Sequence, residues 1–189
     1  VEAEVRHTIG NAYNNLGRYD RARPLLEAAA ETRTRLLGRD DPETVETLAA
    51  LSQLAWRDSR FDDAVERSHE LLELRRQVFG DPSPEVGVTL DFLGRLLTDA
   101  GQYEEAERAT EEALAMSLAL HGEQSIEVAA CYQSKAVLAQ IARQDYALAE
   151  ELSRKEIAIR RAVSDFDTME TAAALNNLGI FVMLEGRVG

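Results

Sequence analysis

The sequence predicts an all-α protein, a solenoid built from one repeated unit of two helices. An aromatic residue recurs at a nearly constant step of 42 or 43 residues, at Tyr19, Phe61, Tyr103 and Tyr146. Glycine recurs at the same step of 42 residues, at Gly38, Gly80 and Gly122. A fixed period of this size is typical of stacked repeats, in which each repeat covers the apolar face of its neighbour.

Each repeat contains two amphipathic helices. Apolar residues recur at helical spacing on both sides of the aromatic residue, as at Leu48, Leu51 and Leu54 before Phe61 and at Leu71 after it. No alternating pattern in the sequence favours a strand. The fold class therefore rests on the period and on the spacing within it.

The first helix of a repeat begins after a side chain that can accept hydrogen bonds from free backbone amides. Asp41 and Ser83 each precede a proline, which fits the first helical position. Asp167 or Thr168 serves the same purpose before the last helix. These signals divide a single array over residues 1–189 into the repeats 1–38, 41–80, 83–122, 125–164 and a partial repeat 167–189.

The second helix begins at the recurring aromatic residue and carries charges in the order that complements a helix dipole. Acidic residues fill its first turn, and an arginine stands near the end of three such helices, at Arg33, Arg75 and Arg160. We interpret these arginines as partners of the helix dipole in preference to a row of ligand-binding residues. One extra residue between Ala136 and Tyr146 is predicted to lengthen that turn.

A recurring set of small and aromatic residues resembles the tetratricopeptide repeat. A small residue stands at the eighth place, Gly17 at the fifteenth, Tyr19 at the seventeenth and Ala22 at the twentieth. The 42-residue step resembles the long variant typified by kinesin light chains, found in many bacterial proteins, and the L-N-N-L-G run ending at Gly179 is typical of that variant. The resemblance implies a right-handed α-α superhelix of antiparallel helix pairs, with about four full repeats and an unpaired final helix.

The same alignment predicts the core and its weakest parts. The residues predicted to be core are Leu51, Phe61, Ala64, Leu93, Tyr103, Ala106, Leu138, Tyr146 and Leu178. Ala136 replaces glycine at the eighth place, and Thr110 stands where a large apolar residue is usual. We therefore expect the third and fourth repeats to be the most loosely packed.

The resemblance also implies a concave groove lined by the first helices. The places that point into it hold His7, Asn11, Asn14, Asn15, Gln53, Trp56, Arg57, Asp91, Phe92, Arg95, Gln133 and Asn177. Asparagine amides can hold a peptide backbone, arginine can pair with carboxylates, and aromatic rings can accept an apolar side chain. This set favours a peptide or protein partner with acidic or carboxylate groups, although these residues could equally be ordinary solvated helix residues.

Charge and composition exclude several partners. The net charge of −13 at pH 7 repels nucleic acid phosphates and anionic lipid surfaces. The apolar stretches are too short for a membrane span, so we expect neither nucleic acid nor membrane as a partner. One cysteine in 189 residues cannot build a disulfide framework, which favours a reducing, cytoplasmic setting.

Residues with catalytic potential form no known constellation. His69 and Glu73 stand four residues apart on one helix, but the second histidine of a zinc motif is missing. Cys131 is interpreted as a small core residue. The sequence thus predicts no enzyme, with no catalytic, cofactor-binding or metal-binding residue and no cofactor.

Three function classes stay open, in decreasing order of preference. The first is a scaffold that binds a peptide or protein in the groove. The second is a spacer that self-associates through an exposed C-terminal helix, at Ile180, Phe181 and Met183. The third is the regulatory region of a larger enzyme, such as a kinase, NTPase or caspase-like protease, whose catalytic domain lies outside this chain.

Overall fold

The computed structural model describes residues 1–164 and 168–186. Within these residues the chain forms nine α-helices and no strand: α1 Glu2–Asn15, α2 Tyr19–Leu37, α3 Pro42–Arg57, α4 Phe61–Phe79, α5 Pro84–Asp99, α6 Tyr103–His121, α7 Ile126–Arg143, α8 Tyr146–Val163 and α9 Met169–Leu184. The all-α helical-repeat class is confirmed, with 85% of the described chain in helices. Asp167, one of two proposed starts for the last helix, lies outside the described residues.

The predicted caps begin the first helices as expected. Asp41 accepts a hydrogen bond from the backbone amide of Glu43, and Ser83 accepts one from that of Val86. Thr168 caps α9 in the same way. Each cap satisfies an amide that has no partner within its own helix, so local sequence determines where these helices begin.

The extra residue before Tyr146 lengthens a helix and not the turn, so that prediction is wrong. α7 has 18 residues, whereas α5 has 16. Gln144 ends α7 in the left-handed conformation with φ of 52°, and Asp145 caps α8 through the amide of Leu148. Two residues separate α7 from α8, whereas three separate α5 from α6, so the added residue and one residue of the turn both extend α7.

The chain divides into two compact bodies, residues 1–81 and 82–189. In the N-terminal body, residues 1–81, α1 packs on α2, α2 on α3 and α3 on α4. Its main core cluster joins Ala22 and Leu26 of α2 to Leu51 and Leu54 of α3. Because the connections are short, consecutive helices run antiparallel.

In the C-terminal body, residues 82–189, consecutive helices from α5 to α9 pack on one another, and α5 also contacts α7. One core cluster joins Ala136 and Ala139 of α7, Ala149 and Leu152 of α8, and Phe181 of α9. Phe181 is only 2% exposed. Its predicted part in self-association is therefore wrong, because its ring is already packed inside this body, whereas Ile180 and Met183 are exposed.

The core prediction holds for small and aliphatic residues better than for the recurring aromatics. Five predicted core residues are buried: Leu51, Ala64, Leu93, Ala106 and Leu138. Phe61, Tyr146 and Leu178 are half-buried. Tyr103 is 38% exposed, so its prediction is wrong; its ring stands at the edge of an open pocket rather than under a neighbouring helix.

Thr110 contradicts the expected loose packing of the third repeat. Its side chain is fully buried, and its Cγ2 would lie only 2.4 Å from a Cβ built on Gly94. The methyl group of Thr110 on α6 thus fills the space that the missing side chain of Gly94 leaves on α5. The equivalent place holds Leu26 in the first repeat and Ser68 in the second, so the large apolar residue expected from the resemblance is not required for close packing.

Candidate functional site

A row of polar side chains runs along α1 and continues onto α3 in the N-terminal body. Asn11 Nδ2 lies 2.9 Å from His7 Nε2, one turn away on the same helix. Arg57 Nη1 on α3 donates a hydrogen bond of 3.2 Å to Asn15 Oδ1 on α1. Asn15 and Arg57 occupy the same place in successive repeats, so equivalent places of neighbouring first helices are in direct contact.

His7 is neutral at pH 7 in this environment. Burial lowers the pKa of His7 below its usual 6.5, and the nearby guanidinium of Arg33 lowers it further. A neutral ring matches the contact with Asn11, because an amide nitrogen can only donate and Nε2 must then accept. The proton consequently sits on Nδ1, a buried atom with no hydrogen-bond partner among the described residues.

The remaining candidates of the N-terminal body differ in what they offer a ligand. Gln53 is exposed and Trp56 is half-buried. Asn14 is only 3% exposed, and its Oδ1 has no hydrogen-bond partner in the described part of the chain. Asn14 therefore presents little surface, while Trp56 and Arg57 stand side by side at the end of α3.

In the C-terminal body the candidates centre on Asp91 of α5. Its Oδ1 accepts a hydrogen bond of 2.7 Å from Ser134 Oγ on α7, and its Oδ2 lies 3.4 Å from Arg95 Nε. The Arg95 guanidinium lies 5.8 Å from the centre of the Phe92 ring, within cation–π range. Phe92 itself is 7% exposed, so its ring presents little surface to a ligand.

Arg95 thus contacts both Asp91 and Phe92, whereas the other two groove candidates of this body lie on other helices. Gln133 on α7 and Asn177 on α9 are both half-buried. Ser134, which is not among the predicted groove residues, bridges α7 to Asp91. Its position gave the signal, because Ser134 falls at the sixth place of the fourth repeat, one of the places expected to line the groove.

The arginines interpreted as dipole partners are buried and bind specific side chains. Arg33 Nη1 donates to Thr47 Oγ1 at 2.7 Å and to the Glu43 carbonyl at 3.0 Å, while its Nη2 pairs with Glu4. Arg75 pairs in the same way with Glu46, with Nη2 and Oε1 2.7 Å apart. The second place of these two repeats is therefore occupied by structural ion pairs, which correct the dipole interpretation.

The third repeat lacks this arginine and also lacks its acid. Ser117 stands at the place of Arg33 and Arg75, and Val88 stands at the place of Glu4 and Glu46. Acid and base are absent together here, as expected because an arginine buried at this place without its acidic partner would be costly.

The described residues contain few side chains that could bind a metal ion or act as a nucleophile. Among the described residues, no cluster of three or more histidine, cysteine, aspartate or glutamate side chains could hold a metal ion. Burial raises the pKa of the Cys131 thiol to about 11, which keeps it protonated at neutral pH. Across the described helices, none is both long and apolar enough to pass through a membrane.

These features define a helical-repeat protein with polar side chains along its first helices. The family follows from the sequence of the first two thirds of the chain, where residues 1–68 and 54–119 match the family model described as tetratricopeptide repeat. The chain belongs to the tetratricopeptide repeat family. No curated protein sequence matches it.

Solved structures show the kinesin-light-chain-like form of the repeat. BtubC (BKLC) from P. vanneervenii superposes with a TM-score of 0.81 at 24% identity, over 97% of this chain and 72% of that chain. The nearly identical TPR-like repeats of a Podosopora anserina protein that carries the name kinesin light chain give a TM-score of 0.77 at 18% identity, over 98% of this chain and 87% of that chain. At these identities the likeness concerns the fold.

Proposed function

We propose that this chain is a scaffold that binds a peptide or protein segment along its first helices. The tetratricopeptide repeat fold generally serves protein–protein interaction, and its family is typically non-catalytic. The observation that carries the proposal is the hydrogen bond between Arg57 and Asn15, because it joins two groove places of successive repeats into one surface. A reducing, cytoplasmic setting fits the single, buried thiol of Cys131.

The chemistry of this surface favours an acidic ligand. Arg57 is exposed and its bond to Asn15 leaves its positive charge uncompensated by that partner, since an amide carries no charge. Trp56 beside it provides apolar surface for an anchoring side chain. An extended segment with a carboxylate next to an apolar residue would therefore meet both groups.

Arg95 is the basic group that the C-terminal body is proposed to offer an acidic ligand. Its Nε is 3.4 Å from Asp91 Oδ2, longer than a close charge-assisted bond, and its side chain is 44% exposed. A ligand carboxylate can therefore compete with Asp91 for the guanidinium. Asp91 keeps its hydrogen bond from Ser134 in that case, so it is not left without a partner.

Selection from a library of short displayed peptides tests the proposal. We expect aspartate and glutamate next to an apolar residue to be enriched on the purified chain. The double variant Arg57→Glu, Arg95→Glu should weaken the selected peptides by about 2 kcal/mol, roughly 30-fold, in fluorescence polarisation.

A double variant on the second helices provides the control. Arg35→Glu with Arg108→Glu makes the same change in net charge at two exposed residues of α2 and α6. Equal loss of binding in both double variants would show that only net charge matters and would reject the groove. The alternative, regulation of an enzyme, stays a prediction that a catalytic motif in the adjoining reading frame would support.

A further inference from the structure

The C-terminal body contains a pocket of about 360 Å³ between α6 and α8, with α7 as its floor. We refer to it as the α6–α8 pocket. Its floor and far wall are apolar and consist of Leu138, Ala139, Ala142, Leu148 and Leu152. Tyr103, at the start of α6, stands at its edge and exposes 38% of its surface.

The equivalent site in the N-terminal body is filled by charged side chains. Arg23 of α2 pairs with Asp58, which follows α3, and Asp58 also lies 3.1 Å from Arg60 Nε. Arg60 pairs in turn with Asp63, and Arg67 Nε lies 2.7 Å from Asp63 Oδ1. This network joins α2, the end of α3 and α4 across the cleft between them.

The C-terminal body carries different residues at the places of four members of this network, Arg23, Asp58, Asp63 and Arg67. Asp63 and Arg67 follow Phe61 by two and six residues; Leu148 and Leu152 follow Tyr146 by the same steps. In place of the other pair, Arg23 and Asp58, this body carries Glu107 and Ala142. The cleft consequently loses the ion pairs formed by Asp58 and Asp63 and gains an apolar lining, while ion pairs remain at its rim.

The rim of the α6–α8 pocket is acidic. Arg143 Nη2 lies 2.8 and 2.6 Å from the two carboxylate oxygens of Glu107, and Lys135 Nζ lies 3.5 Å from Glu111 Oε1. Glu104, one turn before Glu107, is exposed and forms no ion pair with any described residue. Three acids thus face two bases, so a partner with a positive charge complements the rim.

The pocket uses a different face of α7 from the predicted groove. Lys135, Ala139 and Ala142 line the pocket, while Gln133 is the groove candidate of this helix. At about 100° of rotation per residue, Gln133 points roughly opposite to Lys135. A ligand in the pocket therefore leaves the groove of this body accessible.

We propose that the α6–α8 pocket binds an apolar side chain of a partner protein, presented next to a lysine or arginine. The pocket lies at the small end of the range of about 300–1,000 Å³ for ligand sites, which suits one or two aliphatic side chains and not an extended peptide. The flanking cation contacts Glu104 and the Glu107 carboxylate. Tyr103 adds the exposed aromatic surface that protein interfaces favour.

Two sets of synthetic peptides provide the probe for the full chain. Each peptide has a central leucine, isoleucine or phenylalanine; one set has lysine or arginine flanks and the matched set has aspartate or glutamate flanks. We expect peptides with basic flanks to bind more tightly in fluorescence polarisation. Absence of binding by every basic-flanked peptide, or tighter binding by the acidic set to the pocket, overturns the proposal.

Variants of the pocket assign the binding to this site. Ala142→Trp fills the cavity and should weaken the basic-flanked peptides by about tenfold or more. Glu104→Lys with Glu111→Lys reverses the exposed rim and should weaken them as much, with no core residue changed. If Ala142→Trp does not fold, the rim variant alone decides; unchanged binding to a folded variant of either kind rejects the pocket.

Register-matched and groove variants complete the design. Asp20→Lys with Glu27→Lys changes the same two places of the first repeat and should leave binding unchanged. Arg57→Glu with Arg95→Glu should not weaken it, so failure of the groove proposal and failure of the pocket proposal give different results. Equal weakening by the rim variant and the Asp20, Glu27 variant means a general charge effect and rejects the pocket.

Discussion

At the scale of single residues, the first three helix pairs each pack through a close contact between a small residue of the first helix and one residue of the second. A Cβ built on Gly10 would lie 2.8 Å from Cγ of Leu26, so the smallest residue faces a large one. In the second repeat the same places hold two serines, with their hydroxyl oxygens 2.6 Å apart. In the third repeat these places hold Gly94 and Thr110. Because Gly94 has no side chain, the Thr110 side chain packs against it and is fully buried.

Gly94→Ala should destabilise the chain by about 2 kcal/mol, although alanine is the better helix former. Its Cβ would lie 2.4 Å from Thr110 Cγ2 and 3.3 Å from the Thr110 backbone nitrogen, so a β-branched side chain or the helix itself must move. Urea unfolding measures the loss. Addition of Thr110→Ser removes the methyl group and should restore most of the stability.

Gly179→Ala is the matched control, at the eighth place of the last repeat. A Cβ there meets no described atom within 4 Å, so only the helix propensity changes. We expect a gain of up to about 1 kcal/mol. A Gly94→Ala variant that is as stable as Gly179→Ala would contradict the close approach of α5 and α6.

At this scale the sequence predicted the capping residues correctly, but it did not predict the exposure of every side chain. Caps such as Asp41 and Ser83 were predictable because a cap acts within a few residues of itself. The exposure of Tyr103 was not, since it depends on residues of α7 and α8 that lie far away in the sequence. The groove set stays a prediction, in which Asn14 and Phe92 have the least exposed surface.

At the scale of helices, buried arginines tie the second helices α2 and α4 to their neighbours. Arg33 on α2 reaches Glu4 on α1 and both Glu43 and Thr47 on α3, so one side chain joins three helices. The spacing of the arginines was visible in the sequence. Their partners were not, because pairing with the second place of the repeat becomes visible only when the helices are packed.

Arg33→Met should destabilise the N-terminal body by about 2 kcal/mol, because methionine keeps the apolar stem but removes charge-assisted hydrogen bonds. The cost stays moderate since Glu4 is largely exposed and becomes hydrated, and Thr47 retains its bond of 2.9 Å to the Glu43 carbonyl. Thermal unfolding followed by circular dichroism measures the change.

Arg35→Met on the same helix is the control for this prediction. Arg35 is exposed, and we expect its replacement to change stability by less than about 0.5 kcal/mol. An equal effect of the two variants would mean that Arg33 acts only through the helix dipole, as the sequence first suggested, and not through its partners on α1 and α3.

At the scale of the whole molecule, the repeat period predicts the fold class. The features that differ between repeats depend on individual side chains. A repeat step reports only what every repeat shares, namely two helices, their caps and a small residue between them. The α6–α8 pocket arises from departures, where Leu148 and Leu152 replace Asp63 and Arg67. Such a difference is visible in an alignment of the repeats, but its meaning requires the ion network of the N-terminal body.

Net charge gives the two proposed ligands opposite salt dependences of association. The field of a chain with net charge −13 repels an acidic ligand and attracts a basic one at long range, before any close contact forms. Salt screens this field over about 10 Å at 0.1 M. The association rate should therefore rise with salt for the acidic groove ligand and fall for the basic pocket ligand.

Association and dissociation must be measured separately to see this effect. Salt also weakens the short-range pairing of Arg57 or Glu104 with a ligand, which raises the dissociation rate in both cases and would mask the opposite signs in an equilibrium constant. Stopped-flow anisotropy between about 0.02 and 0.3 M salt resolves the two rates, with an uncharged peptide as the flat reference. An acidic ligand whose association slows as salt increases would show that the local field of Arg57 and Arg95, and not the net charge, steers the encounter.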